Sequence, residues 1–243
     1  MAHTLYLVST PIGNMEDITM RALRILREVP LVLAEDTRHT RLLLDHFGIA
    51  ARCESYHDFN KERVGERYLE FLEREGDVAL VSDAGTPAIS DPGFNLARDA
   101  IARGIPVVPV PGASALLAAL VGSGLPTDAF FFGGFLPKKS AARLRLFASL
   151  AGRRETQVFY VSPHQMEKVA GELERALPGA RTVVARELTK KFEEFLRGTP
   201  EEIARHFASH PPRGEFVLLL NARDAESGEV PAGADDGEGD GEP

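Results

Sequence analysis

Four strand-length runs in the first half of the chain are apolar at every position: Leu5–Val8, Leu31–Ala34, Val78–Val81 and Ile105–Val110. A strand with one face in water alternates apolar and polar residues, whereas a strand covered on both faces is apolar throughout. Segments with helical spacing of apolar residues separate the runs. The pattern therefore predicts an α/β domain over residues 1–125, built on a sheet of about five mostly parallel strands.

The second half opens with the aromatic and glycine-rich segment FFFGGFLP from Phe130, which we interpret as a crossing between two domains. Strand-like and helix-like stretches then alternate again, up to an apolar strand over residues 215–221. Residues 126–223 are therefore predicted to form a second α/β domain, with a cleft between the two lobes.

Helix starts are predicted from capping residues. Asp17 and the Asp91-Pro92 pair precede helical patterns in the first domain. Ser162–Gln165 and Thr199–Glu202 have the form of capping boxes in the second domain.

The net charge of −8 is located entirely in the C-terminal segment. Residues 224–243 hold eight acidic residues and no Lys or Arg, whereas the rest of the chain has 28 acidic and 28 basic residues. We interpret this Gly-, Pro- and acid-rich segment as a disordered tail. Because the remaining body is neutral, any binding of nucleic acid must depend on a local basic patch.

Composition also limits which kinds of site the chain can contain and which cellular compartment suits it. The single cysteine, Cys53, excludes an intrachain disulfide, and no metal-ligand spacing is found, so we expect no metal. Prolines and glycines interrupt the 24 uncharged residues between Arg103 and Asp128, which favours a strand, a turn and a helix over a membrane span. We therefore expect a cytoplasmic protein that does not enter a membrane.

Polar and glycine-containing segments follow the four apolar runs, at the positions where open α/β sheets bind ligands. Residues 82–95 contain no Lys or Arg, which favours a neutral or cationic ligand over a phosphate. Each segment alone also fits an ordinary turn from strand to helix, and that alternative stays open. The segments are Ser82–Gly93, Ser9–Asp17, Val110–Ala115 and Glu35–Thr40.

Basic residues cluster after the FFFGGFLP segment. Lys138, Lys139, Arg143 and Arg154 are candidates for contacting the phosphate backbone of a nucleic acid. The alternative is an ordinary solvated helix surface.

Seven motifs occur in an order that resembles the ribosomal RNA small subunit methyltransferase I family, from about Leu5 to Leu220. This family belongs to the tetrapyrrole (corrin/porphyrin) methylase superfamily. The resemblance implies a two-lobed fold, with a mostly parallel N-terminal sheet and a smaller C-terminal lobe built on a mixed sheet. The motifs are VSTPIGNMEDIT, AEDTRHT, VALVSDAGTPAISDPG, VVPVPGASA, FFFGGFLPKK, ARELTKKFEE and GEFVLLL.

The same resemblance implies a homodimer that binds S-adenosyl-L-methionine in the cleft between the lobes. It implies 2′-O-methylation of a cytidine ribose in the decoding region of 16S rRNA, with the naked rRNA or the small ribosomal subunit as the acceptor. Matched by motif, the cofactor-binding residues are Pro11, Asp83, Ala84, Gly85, Ser114 and Ala115 in the first lobe, and Tyr160, Val161, Ala185, Arg186, Glu215 and Phe216 in the second.

For the chemistry, we predict Asp36 as the base that takes the 2′-hydroxyl proton. Arg38 and Lys190 are its predicted companions, as partners of an anionic oxygen or a phosphate. The chain departs from the family where many relatives read Tyr-Glu-Ser-Pro-His-Arg, because Val161 and Gln165 replace the Glu and the Arg.

Two alternatives remain at this point. The acceptor of a methyltransferase of this superfamily can be a tetrapyrrole precursor or a modified histidine of a protein, although the AEDTRHT and PKK segments favour rRNA. The chain can also be a ribosome-binding module without catalytic activity, an idea that the loss of the Glu and the Arg supports.

Overall fold

The structure is a computed structural model that describes residues 3–57, 61–89, 93–226 and 228. The chain divides into two compact units. Unit 1 comprises the chain up to Ala118 together with Leu188–Lys191, and unit 2 comprises Ala119–Glu187 and the chain from Phe192 onward. The chain therefore enters unit 2, returns to unit 1 for four residues, and enters unit 2 again.

Unit 1 contains a parallel five-stranded sheet with the order β3-β2-β4-β1-β5, as the apolar runs predict. The edge strand β3 was not predicted, because it is short and its three residues are only half-buried. The strands are β1 (Leu5–Val8), β2 (Leu31–Ala34), β3 (Cys53–Ser55), β4 (Val78–Val81) and β5 (Val107–Val110). The helices are α1 (Met20–Glu28), α2 (Thr37–His46), α3 (Lys61–Arg74), α4 (Gly93–Ala102) and α5 (Ala115–Ser123), and α5 continues into unit 2.

Both faces of the central strands β2 and β4 are covered, which explains why these strands are apolar at every position. Leu31 and Leu33 of β2 enter one hydrophobic cluster, whereas Val32 and Ala34 enter another. In β4, Val78 and Leu80 enter the same cluster as Leu31 and Leu33, whereas Ala79 and Val81 enter the other cluster. Successive side chains of a strand point to opposite faces, so each face of the sheet has its own core.

The start of α1 differs from the prediction. Thr19, not Asp17, is the N-cap, and its side chain accepts a hydrogen bond from the Ala22 N–H at 3.1 Å. Asp17 instead lies in a 3-10 turn over Met15–Asp17, which separates β1 from α1. The predicted cap Asp91-Pro92 lies outside the described residues.

Unit 2 contains a mixed five-stranded sheet with the order β6-β7-β10-β8-β9. β6 and β7 are parallel, and the other neighbouring strands are antiparallel. Helices of this unit cover one face of the sheet around a single core cluster. The strands are β6 (Phe130–Phe135), β7 (Thr156–Val161), β8 (Arg181–Arg186), β9 (Glu194–Gly198) and β10 (Phe216–Asn221), and the helices are α6 (Ser140–Ala148), α7 (Pro163–Ala176) and α8 (Pro200–Ser209).

Three sequence predictions change in unit 2. The segment FFFGGFLP forms strand β6 rather than a crossing, because its aromatic residues favour a strand and a bulge accommodates its glycines. The Thr199 capping box is confirmed, but Ser162 makes no side-chain cap at the start of α7. Ala225 is 7% exposed and belongs to the core, so the described fold continues into the segment predicted as a tail.

Candidate functional site

The loops that follow β1 and β4 are joined at the carboxyl end of the parallel sheet. The Thr10 N–H donates to the Gly85 carbonyl oxygen at 2.9 Å, and the Gly85 N–H donates to the Thr10 carbonyl oxygen at 3.1 Å. The Thr10 hydroxyl also donates to the Ser82 carbonyl oxygen at 3.2 Å. Two of the predicted segments therefore form one surface.

The loop after β5 joins the same surface through hydroxyl groups. The Ser9 and Thr86 hydroxyls lie 3.0 Å apart, and Thr86 donates to the Ala113 carbonyl oxygen at 3.3 Å. A Cβ atom added at Gly112 would lie 2.9 Å from Ser9 Cβ, so this approach requires glycine. Ser114 precedes α5 and accepts a weak hydrogen bond from the N–H of Leu117 at 3.5 Å.

The loop after β2 joins through a carboxylate. Asp83 Oδ1 accepts a hydrogen bond from the Asp36 N–H at 2.9 Å. The structure thus brings all four predicted segments of unit 1 together, since parallel strands place their carboxyl ends at the same edge.

A cavity of about 180 Å³ lies among the loops after β1 and β4 and helix α2. Its lining contains the carboxylate of Asp83 and no Lys or Arg, so its chemistry suits a neutral or cationic ligand. Sequence reasoning missed several of these positions as lining residues. All of them except Leu43 belong to motifs already singled out, but sequence alone does not show which residues of a motif face a cavity. The lining residues are Thr10, Pro11, Gly13, Met15, His39, Thr40, Leu43, Ser82 and Asp83.

The predicted cofactor residues Asp83, Ala84 and Gly85 form the turn after β4. Ala84 is exposed, and Gly85 is buried with a φ of +83°. A Cβ atom at Gly85 would lie 3.3 Å from the Ile12 side chain. Glycine therefore provides both the left-handed backbone and the space that the paired loops need.

Asp36 is the N-cap of α2 and forms an ion pair with Arg38. Asp36 Oδ1 accepts from the Arg38 backbone N–H at 2.8 Å, and Oδ2 accepts from the guanidinium at 2.7 Å. These hydrogen bonds hold the pKa of Asp36 well below its usual range. The carboxylate is therefore ionised at neutral pH, but it is a weak proton acceptor while Arg38 is bound.

Lys190 lies in the four-residue segment that belongs to unit 1. Its side chain crosses Gly13, where an added Cβ atom would overlap the lysine methylene groups. Thr189 has a φ of +64°, a left-handed conformation that non-glycine residues seldom adopt. Lys190 is thereby placed against the loop after β1, although its sequence position lies between strands of unit 2.

In unit 2, strand register brings the predicted cofactor residues together. Phe216 pairs with both Val161 and Arg186, and Val217 pairs with Tyr160 and Ala185. Val161, Ala185 and Phe216 are buried. Glu215 and Glu187 are linked by two hydrogen bonds of 3.0 Å beside this cluster.

The predicted RNA-binding residues do not form one patch. Lys138 and Lys139 are exposed after the end of β6, whereas Arg154 is exposed before the start of the parallel neighbour β7. Six residues of strand separate these positions by about 20 Å. Arg143 is buried and bonded to Glu172, and its predicted contact with phosphate is wrong.

The described ranges of the chain lack two further kinds of feature. They contain no cluster of three or more His, Cys, Asp or Glu side chains arranged to hold a metal ion. They also contain no helix long and apolar enough to cross a bilayer.

A parallel sheet with a cavity at its carboxyl end, followed along the chain by a second unit with a mixed sheet, indicates the class of protein to which the chain belongs. Residues 4–204 match the Tetrapyrrole (Corrin/Porphyrin) Methylases, and the chain belongs to this family.

Relatives within the family are more specific. The chain is 48% identical over 217 residues to the Ribosomal RNA small subunit methyltransferase I of Halalkalibacterium halodurans, covering 89% of this chain and 75% of that protein. It is 48% identical over 237 residues to the protein of the same name from Pseudomonas aeruginosa, covering 96% and 84%. The resemblance found in the sequence motifs is thereby confirmed.

A solved structure supports the fold. Uroporphyrin-III C-methyl transferase from Thermus thermophilus, complexed with S-adenosylhomocysteine, is 25% identical to this chain. The TM-score is 0.59, over 91% of this chain and 98% of that one.

Proposed function

We propose that this chain transfers the methyl group of S-adenosyl-L-methionine to the 2′-oxygen of a cytidine ribose in the decoding region of 16S rRNA. The observation that carries the proposal is the 48% identity with relatives named Ribosomal RNA small subunit methyltransferase I. The structure of unit 1 supports it, since the three loops that the resemblance assigns to the cofactor are joined by hydrogen bonds to one another and to the loop that carries Asp36.

The residues of unit 1 fit the cofactor. S-adenosyl-L-methionine supplies a methyl group on a positively charged sulfur and carries no phosphate. The cavity offers the Asp83 carboxylate and no competing cation in its lining. We assign cofactor binding in unit 1 to Pro11, Ser114 and Ala115 together with the turn over residues 83–85. The six predicted residues of unit 2 stay a prediction.

The chain must also remove the proton from the attacking hydroxyl, because a free 2′-hydroxyl is a poor acid. We assign this step to Asp36, with one condition that the structure imposes. Arg38 must leave the carboxylate, because its hydrogen bonds hold the pKa of Asp36 low. Arg38 is 91% exposed, and an RNA phosphate is a competing partner of the right charge. On this proposal, binding of RNA draws Arg38 away and makes Asp36 more basic.

Lys190 is proposed as a second cation near the acceptor, because its side chain lies along the loop after β1. Its role is to stabilise an anionic oxygen or a phosphate. The proposed working state is a homodimer, which sedimentation of the full chain tests directly.

The test is methyl transfer to a defined position of RNA. Purified chain is incubated with methyl-tritiated cofactor and small ribosomal subunits that lack the modification, and the RNA is then hydrolysed in alkali. Alkali cannot cleave beside a 2′-O-methyl ribose, so the expected result is label in one alkali-resistant dinucleotide. Naked 16S rRNA is assayed in parallel, to decide between the two forms of the acceptor.

A matched pair of variants controls the assay. Asp83→Ala should abolish labelling and cofactor binding together, whereas Lys168→Gln, at an exposed position of α7, should leave both unchanged. Cofactor binding without labelling of either RNA would contradict the proposal, and would favour a different acceptor or a ribosome-binding role.

A further inference from the structure

The edge strand β6 presents aromatic rings on one face of the mixed sheet. Phe130, Phe132 and Phe135 pair with Thr156, Val158 and Tyr160 of β7, and paired residues of a parallel ladder point to the same side. Simple alternation would send Phe135 to the opposite side from Phe132. The bulge between them, with Gly134 at a φ of +67°, turns Phe135 back to the same side.

The ring of Tyr160 packs against two of these rings. Its ring centroid lies 5.0 Å from that of Phe132 and 5.4 Å from that of Phe135, both in edge-to-face geometry. Phe135 is nevertheless 64% exposed, and Phe130 is 43% exposed. We name Phe130, Phe132, Phe135 and Tyr160 the β6 aromatic face.

Positive charge adjoins the β6 aromatic face. Residues 129–154 contain no Asp or Glu, and Lys138 and Lys139 are exposed just beyond the end of β6. Hydrogen bonds from a buried side chain of unit 2 hold the backbone that follows β6. The Arg143 guanidinium donates to the carbonyl oxygens of Pro137 at 2.9 Å and Lys138 at 2.7 Å, and it is itself held by Glu172.

We propose that the β6 aromatic face with Lys138 and Lys139 binds an unpaired segment of RNA, in which one base stacks on Phe135 and the lysines contact the adjoining phosphates. Aromatic rings beside a basic strip are the elements with which proteins hold single-stranded nucleic acid. The inference rests on the proposed function and deepens it, because it says how the acceptor strand is held.

A second copy of this chain is the competing occupant of the face. A two-fold contact uses the same patch on both copies, so it would place two sets of Lys138 and Lys139 in one interface, where their like charges repel. The acid-free segment offers no carboxylate to offset that repulsion. A polyanion meets no such obstacle, and the charge therefore favours RNA.

Fluorescence gives a direct test, because the chain contains no tryptophan. Phe135→Trp introduces a single indole, which is titrated with a short single-stranded oligoribonucleotide of the decoding-region sequence. Stacking of a base should quench the indole fluorescence, and a fully paired duplex of the same sequence should quench it much less. The matched control is Phe94→Trp on α4 of unit 1, where Phe94 is similarly exposed and no quenching is expected.

Salt dependence separates stacking from charge. Phe135→Ala should weaken binding of the oligoribonucleotide by about 5- to 150-fold at every salt concentration, with an unchanged slope of log K against log salt. Lys138→Gln should lower that slope by about 0.7 and approach wild-type affinity at high salt. Lys168→Gln, on the exposed surface of α7, is the control for a lysine outside the proposed RNA-binding face.

The outcomes are distinct. An unquenched Phe135→Trp, or wild-type affinity in Phe135→Ala, overturns the inference. So does a change of sedimenting mass in Phe135→Ala with unchanged RNA affinity, because a second copy would then cover the face. Quenching by a chain that transfers no methyl group to rRNA contradicts the proposed function and supports the stacking site.

Discussion

Two carboxylate–guanidinium pairs of the same chemistry occupy opposite environments in this chain. In unit 1, the side chains of Asp36 and Arg38 are 33% and 91% exposed. In unit 2, those of Glu172 and Arg143 are 4% and 3% exposed. Burial, rather than residue type, decides whether such a pair holds the fold together or stays available to a ligand.

The buried pair is bonded on all sides, as its desolvation requires. Glu172 accepts from Arg143 Nε at 2.6 Å, from Arg143 Nη2 at 2.8 Å and from the Ser140 hydroxyl at 2.5 Å. The exposed pair joins residues two positions apart, and solvent reaches it freely. Arg38 is therefore open to a phosphate, whereas Arg143 is shielded from solvent.

The largest effect is expected from Glu172→Gln. The substitution leaves the buried guanidinium without its counter-charge, and should lower the free energy of unfolding by about 3–5 kcal/mol. Urea denaturation followed by circular dichroism measures this loss. Glu167→Gln, at an exposed position of the same helix, is the control and should change little. Equal stability of the two variants would show that the buried pair of Glu172 and Arg143 does not hold the fold together.

Asp36→Asn tests the exposed pair through activity. Asparagine is as good an N-cap as aspartate, so stability should change little. If Asp36 is the base, turnover should fall by about 10²–10⁴-fold with unchanged cofactor affinity. Single-turnover methyl transfer and calorimetric titration of the cofactor measure the two quantities. Normal turnover would show that another group takes the proton.

The pH dependence of stability should be smaller and should come from the buried pair. Burial alone would raise the pKa of Glu172, but hydrogen bonds from Arg143 and Ser140 lower it below the usual value. A lowered pKa stabilises the fold above the unfolded-state pKa of about 4.3, and this stabilisation is lost as the pH falls through the folded-state pKa. Glu172→Gln should therefore flatten the acid side of the stability curve. An unchanged curve would contradict the assignment.

Arg38→Gln should have the smallest effect on stability, because Arg38 is 91% exposed and exposed ion pairs contribute little. Loss of the guanidinium should let the pKa of Asp36 rise, and should reduce the salt dependence of RNA binding. Filter binding at several salt concentrations measures the second effect. A large loss of stability would show that this pair, too, holds the fold.

Four of the five strands of unit 1 could be predicted from sequence because each carries its own signal, whereas the short polar strand β3 does not. Runs such as Val78–Val81 are apolar at every position, and that pattern depends only on both faces being covered. β6 was misread because aromatic and glycine residues fit a loop as well as a bulged edge strand. The motifs located the loops of the candidate site, but not the contacts that join them.

The sequence by itself determined the family, the parallel sheet and the segments that follow its strands, since these depend on local pattern and on motif order. Only the tertiary structure decided that Arg143 is buried, that Lys190 lies against Gly13, and that Phe135 shares a face with Tyr160. Each of these facts depends on a partner distant in sequence or on a bulge that reverses alternation. Local pattern does not encode such contacts, because they arise only when packed elements meet.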